Sequence, residues 1–463
     1  MPLYRDDSFL VVHPGSQNTI FSFGLSDSLS PPQYKIPSVV YKNTSTNEYR
    51  SKREENESTL IEIHPIKGSR IVDLDAFNHL LKIILQSVIS NNPIITINQI
   101  PLLLVTPSLK WSRFDVEHVT KYVFESLEFT AFNILDLSIA STFAIGASTN
   151  SLVVNVGHES TQVVPVLGYQ SVKFASKYLE NVGGITIDGE LKRLLPHLNE
   201  GQINALKTSN IYEVLNDTEG SFYSFDALNT EKNDEDFDVA SYVAKEEGGE
   251  SQMDIDEKKE EEESKPNSEL EKNYFLDPVS NEKIYIGKER FQGTSKLVSQ
   301  IVTAIHKTLT AIPDLEKRQD CYENLIFVGS TFNIPGLKRA IITKLIENHL
   351  IKPPSDASKT SDEDKVNSAI AAYQQSDDPY AANDNVALNQ VPTTIKAVKY
   401  PDYFPEWKKP KETNGSWNDV YFLGGQIYSK QIFGANSNHG GDSFLDADIY
   451  EDRGPQAIWD VAL

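Results

Sequence analysis

The chain has 463 residues, 39% hydrophobic and 10% aromatic, enough to bury a substantial core, which excludes a wholly disordered polypeptide. A net charge of −23 argues against direct binding to a phosphate backbone, and the single cysteine, Cys321, excludes an internal disulfide framework and fits a reducing compartment. No signal-peptide core follows the acidic N-terminal residues, and no apolar stretch approaches the ~20 residues of a membrane span, so a soluble intracellular protein without a membrane partner is expected.

In chain order, Phe9–Val12 reads as an apolar strand running into a glycine turn. Lys42–Ser58 is polar and charged without periodicity and reads as unstructured. Leu74–Ser90 carries apolar residues at helical spacing, Leu102–Thr106 reads as a strand, and Asp115–Leu127 and Leu135–Ile145 read as helices. Leu152–Val156 and Gln162–Val166 form the next pair of strands. Asn229–Asn273 holds the run Glu260–Glu263 and few large apolar residues, too little buried surface to offset ordering entropy. Between Glu231 and Lys272 stand 17 acidic and 6 basic residues, a net of −11, so this segment holds nearly half of the excess charge and reads as a solvated linker. Leu297–Leu309 then reads as a helix and Leu325–Val328 as a strand. Pro353 to about Pro392 is again polar, and Val420–Leu423 reads as a final strand. Strands alternating with helices argue for α/β architecture, and patterned sequence resumes after each polar stretch, which makes those stretches insertions.

One internal echo stands out. Phe9-Leu-Val-Val-His-Pro-Gly-Ser16 and Leu152-Val-Val-Asn-Val-Gly-His-Glu159 are both apolar strands entering a glycine turn, about 140 residues apart. Such a turn lets backbone amides approach a phosphate closely, so two of them could clamp a polyphosphate between similar domains. Two ordinary hairpin turns would give the same pattern.

Several blocks occur in the order of one family. They are Lys35-Ile-Pro-Ser-Val-Val40, His64-Pro-Ile-Lys-Gly-Ser-Arg-Ile-Val72, Phe124-Glu125 and Ser141 to Gly146. Val163-Val-Pro165 with Gly168-Tyr169, Ile284-Tyr-Ile-Gly-Lys-Glu-Arg-Phe291, Phe422-Leu-Gly-Gly425 and Tyr450-Glu-Asp-Arg-Gly-Pro455 follow. By these blocks the chain resembles actin and the actin-related proteins over nearly its full length outside the insertions. The resemblance implies the actin fold, shared with sugar kinases and heat-shock chaperone ATPases, with two duplicated lobes and four subdomains. Residues 1–41, 64–150 and 430–463 would form subdomain 1, and 42–63 a short subdomain 2. Residues 151–190 and 293–429 would form subdomain 3, with an insertion at about 353–392; residues 191–292 would form subdomain 4, with the acidic insertion at about 229–273.

The family's chemistry needs a divalent cation on the ATP phosphates and an ordered attacking water. By the same resemblance, the two aspartates that support the cation correspond to His13 and Asn155. The phosphate-binding lysine corresponds to Ile20, the close-approach glycine to Gln17, and the Asp-Gly pair of the second loop to His158-Glu159, an acid near the phosphate positions. The water-orienting glutamine corresponds to Leu137 and its neighbouring histidine to Gln162. On the adenosine side stand Ser330, Ile334 and Asn418, while Gly15, Gly157, Gly329 and Gly336 are kept and read as turn and packing glycines. No catalytic residue, no cofactor and no metal is therefore expected; His13 with His158-Glu159 lacks the spaced ligands of a metal site.

A second groove of the family accepts partner helices, and here Phe143, Gly146, Gly168, Tyr169, Ile427 and Tyr428 would line it, with groove favoured for Tyr169 and Tyr428 and core equally open for Phe143 and Ile427. In their insertions and final residues the resemblance is to the nuclear actin-related proteins of fungal chromatin-remodelling complexes. That implies a nuclear, non-catalytic structural subunit that binds the long helicase-SANT-associated helix of a remodeller ATPase. Its partners would be a second actin-related protein in a heterodimer and other subunits of the complex, with nucleosome and DNA reached only indirectly. A weak or slow ATPase of the same fold, and a cytoskeletal filament-capping adaptor, remain the alternatives. Lys408-Lys-Pro-Lys411 is a weak import signal.

Overall fold

The computed structural model describes residues 4–25, 29–52, 59–92, 100–146, 149–215, 266–351, 391–401, 403–408, 416–434 and 443–462. Most of both long insertions and of the Lys408–Lys411 run thus lies outside the described residues.

The first lobe opens with β1 (Leu10–Pro14), β2 (Asn18–Phe23) and β3 (Tyr34–Pro37). A small three-stranded sheet follows, built from β4 (Val40–Asn43), β5 (Tyr49–Arg50) and β6 (Leu60–Ile63), and then a hairpin of β7 (Ile66–Lys67) and β8 (Arg70–Ile71). Helix α1 (Leu74–Asn91), β9 (Pro101–Thr106), α2 (Arg113–Glu125), β10 (Ala131–Asp136) and α3 (Leu137–Ile145) complete it. The second lobe repeats the scheme with β11 (Asn150–Val156), β12 (Ser160–Leu167), β13 (Gln170–Ser171) and β14 (Lys177–Glu180). Helices α4 (Gly184–Leu194) and α5 (Glu200–Lys207), the hairpin β15 (Asn273–Leu276) and β16 (Lys283–Ile286), and α6 (Ser295–Thr310) come next. Then follow α7 (Leu315–Glu323), β17 (Leu325–Val328) and α8 (Leu337–His349). The chain returns to the first lobe through α9 (Val420–Phe433), β18 (Leu445–Asp446) and α10 (Ala447–Arg453).

The two large sheets share a plan. In the first, β1 pairs antiparallel with β2 and parallel with β9; in the second, β11 pairs antiparallel with β12 and parallel with β17. Side-chain alternation explains why their strands are apolar throughout. Leu10, Val12, Leu102 and Leu104 face the core shared with α1 and α2, whereas Val11, Leu103 and Val105 face α3 and α9. In the second lobe Leu152, Val154, Leu325 and Phe327 face α6 and α8, while Val153, Ile326 and Val328 face the same α3–α9 layer. A strand buried on both faces loses the apolar–polar alternation of a half-exposed one. The α3–α9 pair thus belongs to both lobes at once.

Helix starts follow local chemistry. The Asp73 carboxylate accepts from Ala76 N at 2.9 Å at the start of α1, and Ser112 with Asp115 forms a reciprocal capping box on α2. The helix expected from Leu135 begins at Leu137, because Asp136 takes the cap position and accepts from Ser138 N at 2.8 Å.

Two expectations are corrected. Val420–Leu423, read as a strand, is the first turn of α9; these residues are buried between the two sheets, so their apolar run carries no helical period. Lys42–Arg50, read as unstructured, supplies the end of β4 and all of β5. Asn43 Oδ1 closes the turn between them by accepting from Ser45 N at 2.8 Å, and Lys42 Nζ lies 5.1 Å from the Tyr49 ring. These strands are too short for alternation to register. No described helix is long and apolar enough to cross a membrane.

Candidate functional site

The β1–β2 and β11–β12 turns face one another across a cleft of about 210 Å³ between the lobes. They are built alike: Gly15 N donates to Asn18 O at 3.1 Å, and Gly157 N donates to Ser160 O at 3.0 Å. At Gly15 a Cβ would meet the carbonyl oxygen of Asn18 at 2.5 Å, so the turn's own closure requires glycine. Gly329, at φ +106, closes the cleft from β17, where a Cβ would strike Val156 O.

Of the positions singled out in the sequence, His13, Gln17, Ile20, Asn155, His158 and Ser330 line this cleft. His13 sits at the end of β1. Its Nδ1 is 2.8 Å from Val105 O, to which it can only donate, and its ring tilts against Tyr421 at 4.6 Å. Burial outweighs that hydrogen bond and lowers the imidazole pKa to about 4, so His13 is neutral at pH 7 and offers only its Nε2 lone pair. Ile20 is buried in β2 and belongs to the α3–α9 core. The His158 Nδ1 lies 3.8 Å from Asp188 Oδ2, and Asp188 is bound by Lys207 Nζ at 2.6 Å. Burial, reinforced by the Lys207 charge, lowers the His158 pKa.

Four of the positions lie off the cleft, and one of them, Asn418, is buried with its Nδ2 donating to Asn333 Oδ1 at 2.7 Å. Leu137 is buried at the start of α3, and Ile334 is buried in the second-lobe core. Gln162 is buried on β12, where its Oε1 accepts from Leu109 N at 3.0 Å. The acid expected beside the phosphate positions is also displaced: Glu159 points out of the cleft, and its Oε2 accepts from Gly68 N at 2.6 Å.

Sequence reasoning missed the acid that does line the cleft. Asp419 precedes α9, and its Oδ1 accepts from the Tyr421 hydroxyl at 3.0 Å. Burial holds its carboxyl above the usual range, against the Tyr421 hydrogen bond and the charges of Lys35 and Lys338. Reading 420–423 as a strand hid it: Asp419 stands at the cap position of α9 yet makes no capping hydrogen bond, and its side chain meets Tyr421 instead. Among the described residues, no three His, Cys, Asp or Glu side chains converge to hold a metal ion.

On the opposite side, the residues proposed for the partner groove divide. Gly146 ends α3 in the left-handed region and is exposed; Gly168 and Tyr169 form the exposed β12–β13 turn, with Tyr169 56% exposed. Phe143 and Ile427 are half-buried at the edge of the α3–α9 core. Tyr428, expected to face the groove, is buried instead: its hydroxyl accepts from Asn133 Nδ2 at 3.4 Å and its ring meets Phe143 edge-on at 5.9 Å. Helical position explains the difference, because Tyr428 points from α9 into β10, while Ile427 points outward.

The actin family model matches residues 5–373. A curated relative, the SWI/SNF and RSC complexes subunit arp9 of Schizosaccharomyces pombe, is 25% identical over a 553-residue alignment that spans 99% of each chain. With its paired glycine turns, its two sheets of one plan and this family match, the chain belongs to the actin family.

Proposed function

We propose that this chain is a non-catalytic structural subunit of a nuclear ATP-dependent chromatin-remodelling complex. The observation that carries the non-catalytic reading is the pair of side chains at the ends of β1 and β11. His13 is neutral and locked to Val105 O, and Asn155 is an amide, so neither turn offers a carboxylate to a hydrated divalent cation. The cleft's remaining acid, Asp419, is held above its ordinary pKa and spends a lone pair on Tyr421. These residues do not fit a magnesium–polyphosphate group. Each lost contact costs about 1–3 kcal/mol, enough together to weaken binding by several powers of ten. The membership in a remodelling complex rests on the relative named as a SWI/SNF and RSC subunit.

In this role the face around Gly146, Tyr169, Phe143 and Ile427 receives the long helicase-SANT-associated helix of the remodeller ATPase, alongside a second actin-related protein. A long solvent-exposed helix is marginal alone, and a groove that takes its anchors at i, i+3, i+4 and i+7 holds it straight. Calorimetry and thermal shift with millimolar Mg-ATP test the first part: no heat and no shift are expected, and micromolar binding would overturn it. Co-purification of tagged chain with a remodeller ATPase, lost on Tyr169→Ala with Ile427→Asp, tests the second. Retention of the ATPase by that double variant would move the docking surface elsewhere.

A further inference from the structure

We propose that the two lobes are latched across the cleft by the protein's own side chains, with Glu159 in the bridging part that a bound phosphate chain would play, so that the closed form needs no ligand. The last clause rests on the reading of the cleft given above; the latch itself does not.

The latch joins the β7–β8 turn of the first lobe to β12 and β14 of the second. Ile66 roots that turn in the first-lobe core. From it, Gly68 N donates to Glu159 Oε2 at 2.6 Å, and Ser69 Oγ lies 2.8 Å from Ser160 Oγ. The Tyr178 hydroxyl donates to Gly68 O at 2.6 Å. Two consecutive residues of one lobe therefore have three hydrogen-bond partners on the other. A charged acceptor makes the Glu159 bond the strongest of the three. A carboxylate oxygen that accepts from a backbone amide makes the kind of charge-assisted bond a phosphate oxygen would make, here to the β7–β8 turn rather than to the two glycine turns of the cleft.

The surroundings hold this geometry. Lys110 Nζ stands 4.3 Å and the Arg70 guanidinium 5.6 Å from the Tyr178 ring centroid, and Arg70 also lies 3.6 Å from Glu180. Gly68 at φ +51 and Ser69 at φ +62 are both left-handed, the backbone of a two-residue hairpin turn between the paired Lys67 and Arg70, which fixes the direction in which the turn presents its amide and hydroxyl. At Gly68 a Cβ would come within 2.8 Å of the Tyr178 hydroxyl oxygen, so the turn is shaped to its cross-lobe partner.

Amide hydrogen exchange of the full chain, read on peptides covering 66–72 without nucleotide, tests the latch. Parent protein is expected to protect the Gly68 amide. Glu159→Ala is expected to raise exchange there at least about tenfold while core peptides in β9 and β11 stay protected, with a smaller rise for Glu159→Gln, which keeps an acceptor. Trypsin cleavage after Lys67 and Arg70 should accelerate in parallel. If Glu159→Ala does not fold, Ser160→Ala and Tyr178→Phe each remove one bond and are expected to raise the same signal. Unchanged exchange in these variants, or protection in the parent only when Mg-ATP is added, would overturn the latch. Mg-ATP restoring protection to Glu159→Ala would support the latch and overturn the reading of the cleft as free of nucleotide.

Discussion

The contact between α3 and α9 gives the sharpest test of how the lobes are joined. Gly424 lies directly on Ala140, where an added Cβ would strike the carbonyl oxygen and stand 2.6 Å from the carbonyl carbon and 3.1 Å from Cα. These are backbone atoms of another helix and cannot rotate away. A methyl group needs about 3.4 Å from a carbon, so Gly424→Ala must part the helices by roughly 1 Å in a layer packed against both sheets. Overpacking of this kind costs about 3 kcal/mol or more, against about 1 kcal/mol gained by alanine over glycine inside a helix, for a net loss of about 2 kcal/mol. Gly425 is the control. Its Cβ would meet Val105 Cγ2 at 2.7 Å and Val11 Cγ1 at 3.4 Å, side-chain atoms of buried valines rather than backbone, so a smaller net loss than at Gly424 is expected. Urea unfolding followed by fluorescence reads the difference, since Trp407 is fully buried in the α3–α9 core and its Nε1 donates to Leu29 O at 2.7 Å. A Gly424→Ala chain within about 0.5 kcal/mol of the parent, or no costlier than Gly425→Ala, would refute this account of the joint.

Three other outcomes are expected. The His13 pKa lies at about 4 in the folded chain against 6.5 unfolded, so its contribution is complete above pH 6.5 and lost as pH falls from there through 4. That is at most about 3 kcal/mol, and His13→Asn should flatten this limb of a stability-versus-pH curve; an unaltered limb would assign it to other groups. Arg290 is fully buried and donates to Asn267 Oδ1 at 3.0 Å, Asn267 O at 2.7 Å, Leu270 O at 2.6 Å and Gly287 O at 2.6 Å. Arg290→Met strands these acceptors and should destabilise by about 2–4 kcal/mol, with faster proteolysis at 267–276, and Arg290→Lys should not rescue it; equal stability of either variant would count against this role. Burial, aided by the Asp320 charge, pushes the Cys321 thiol up to about 12, so a disulfide reagent should leave native protein unlabelled at pH 8, and fast labelling would show the site open.

What the sequence revealed depends on how each residue is constrained. The strand–turn pairs at Gly15 and Gly157 were legible because an apolar run ending in glycine is a local signal, and the structure gives both the same closing bond. Leu325–Val328 was legible for the same reason. Helix α9 was not, because burial between two sheets erases the amphipathic period that would have announced it. Asp419 was lost with it. Tyr428 misled because position in a block gives neighbourhood but not side-chain direction, and one residue along a helix turns a side chain by about 100°. Glu159 was read as an acid facing into the cleft; its partner, Gly68, is 91 residues away, beyond the reach of any local pattern.

The cleft residues also separate what the fold demands from what a ligand would demand. A glycine at position 15 is required by the carbonyl of Asn18 in its own turn, and one at 329 by the carbonyl of Val156 on the adjacent strand. Both requirements hold with an empty cleft, so glycines at these turns carry no information about nucleotide. His13, Asn155 and Ser330 line the cleft, so their side chains are among those a ligand would meet. Chemistry has to be inferred from them and from Asp419 and Lys35 on the same cleft. A neutral imidazole bonded to Val105 O, an amide and a hydroxyl supply hydrogen bonds but no charge. The same turns can thus keep the architecture of a phosphate clamp while the Gly68–Glu159 bond supplies the cross-lobe contact without a ligand.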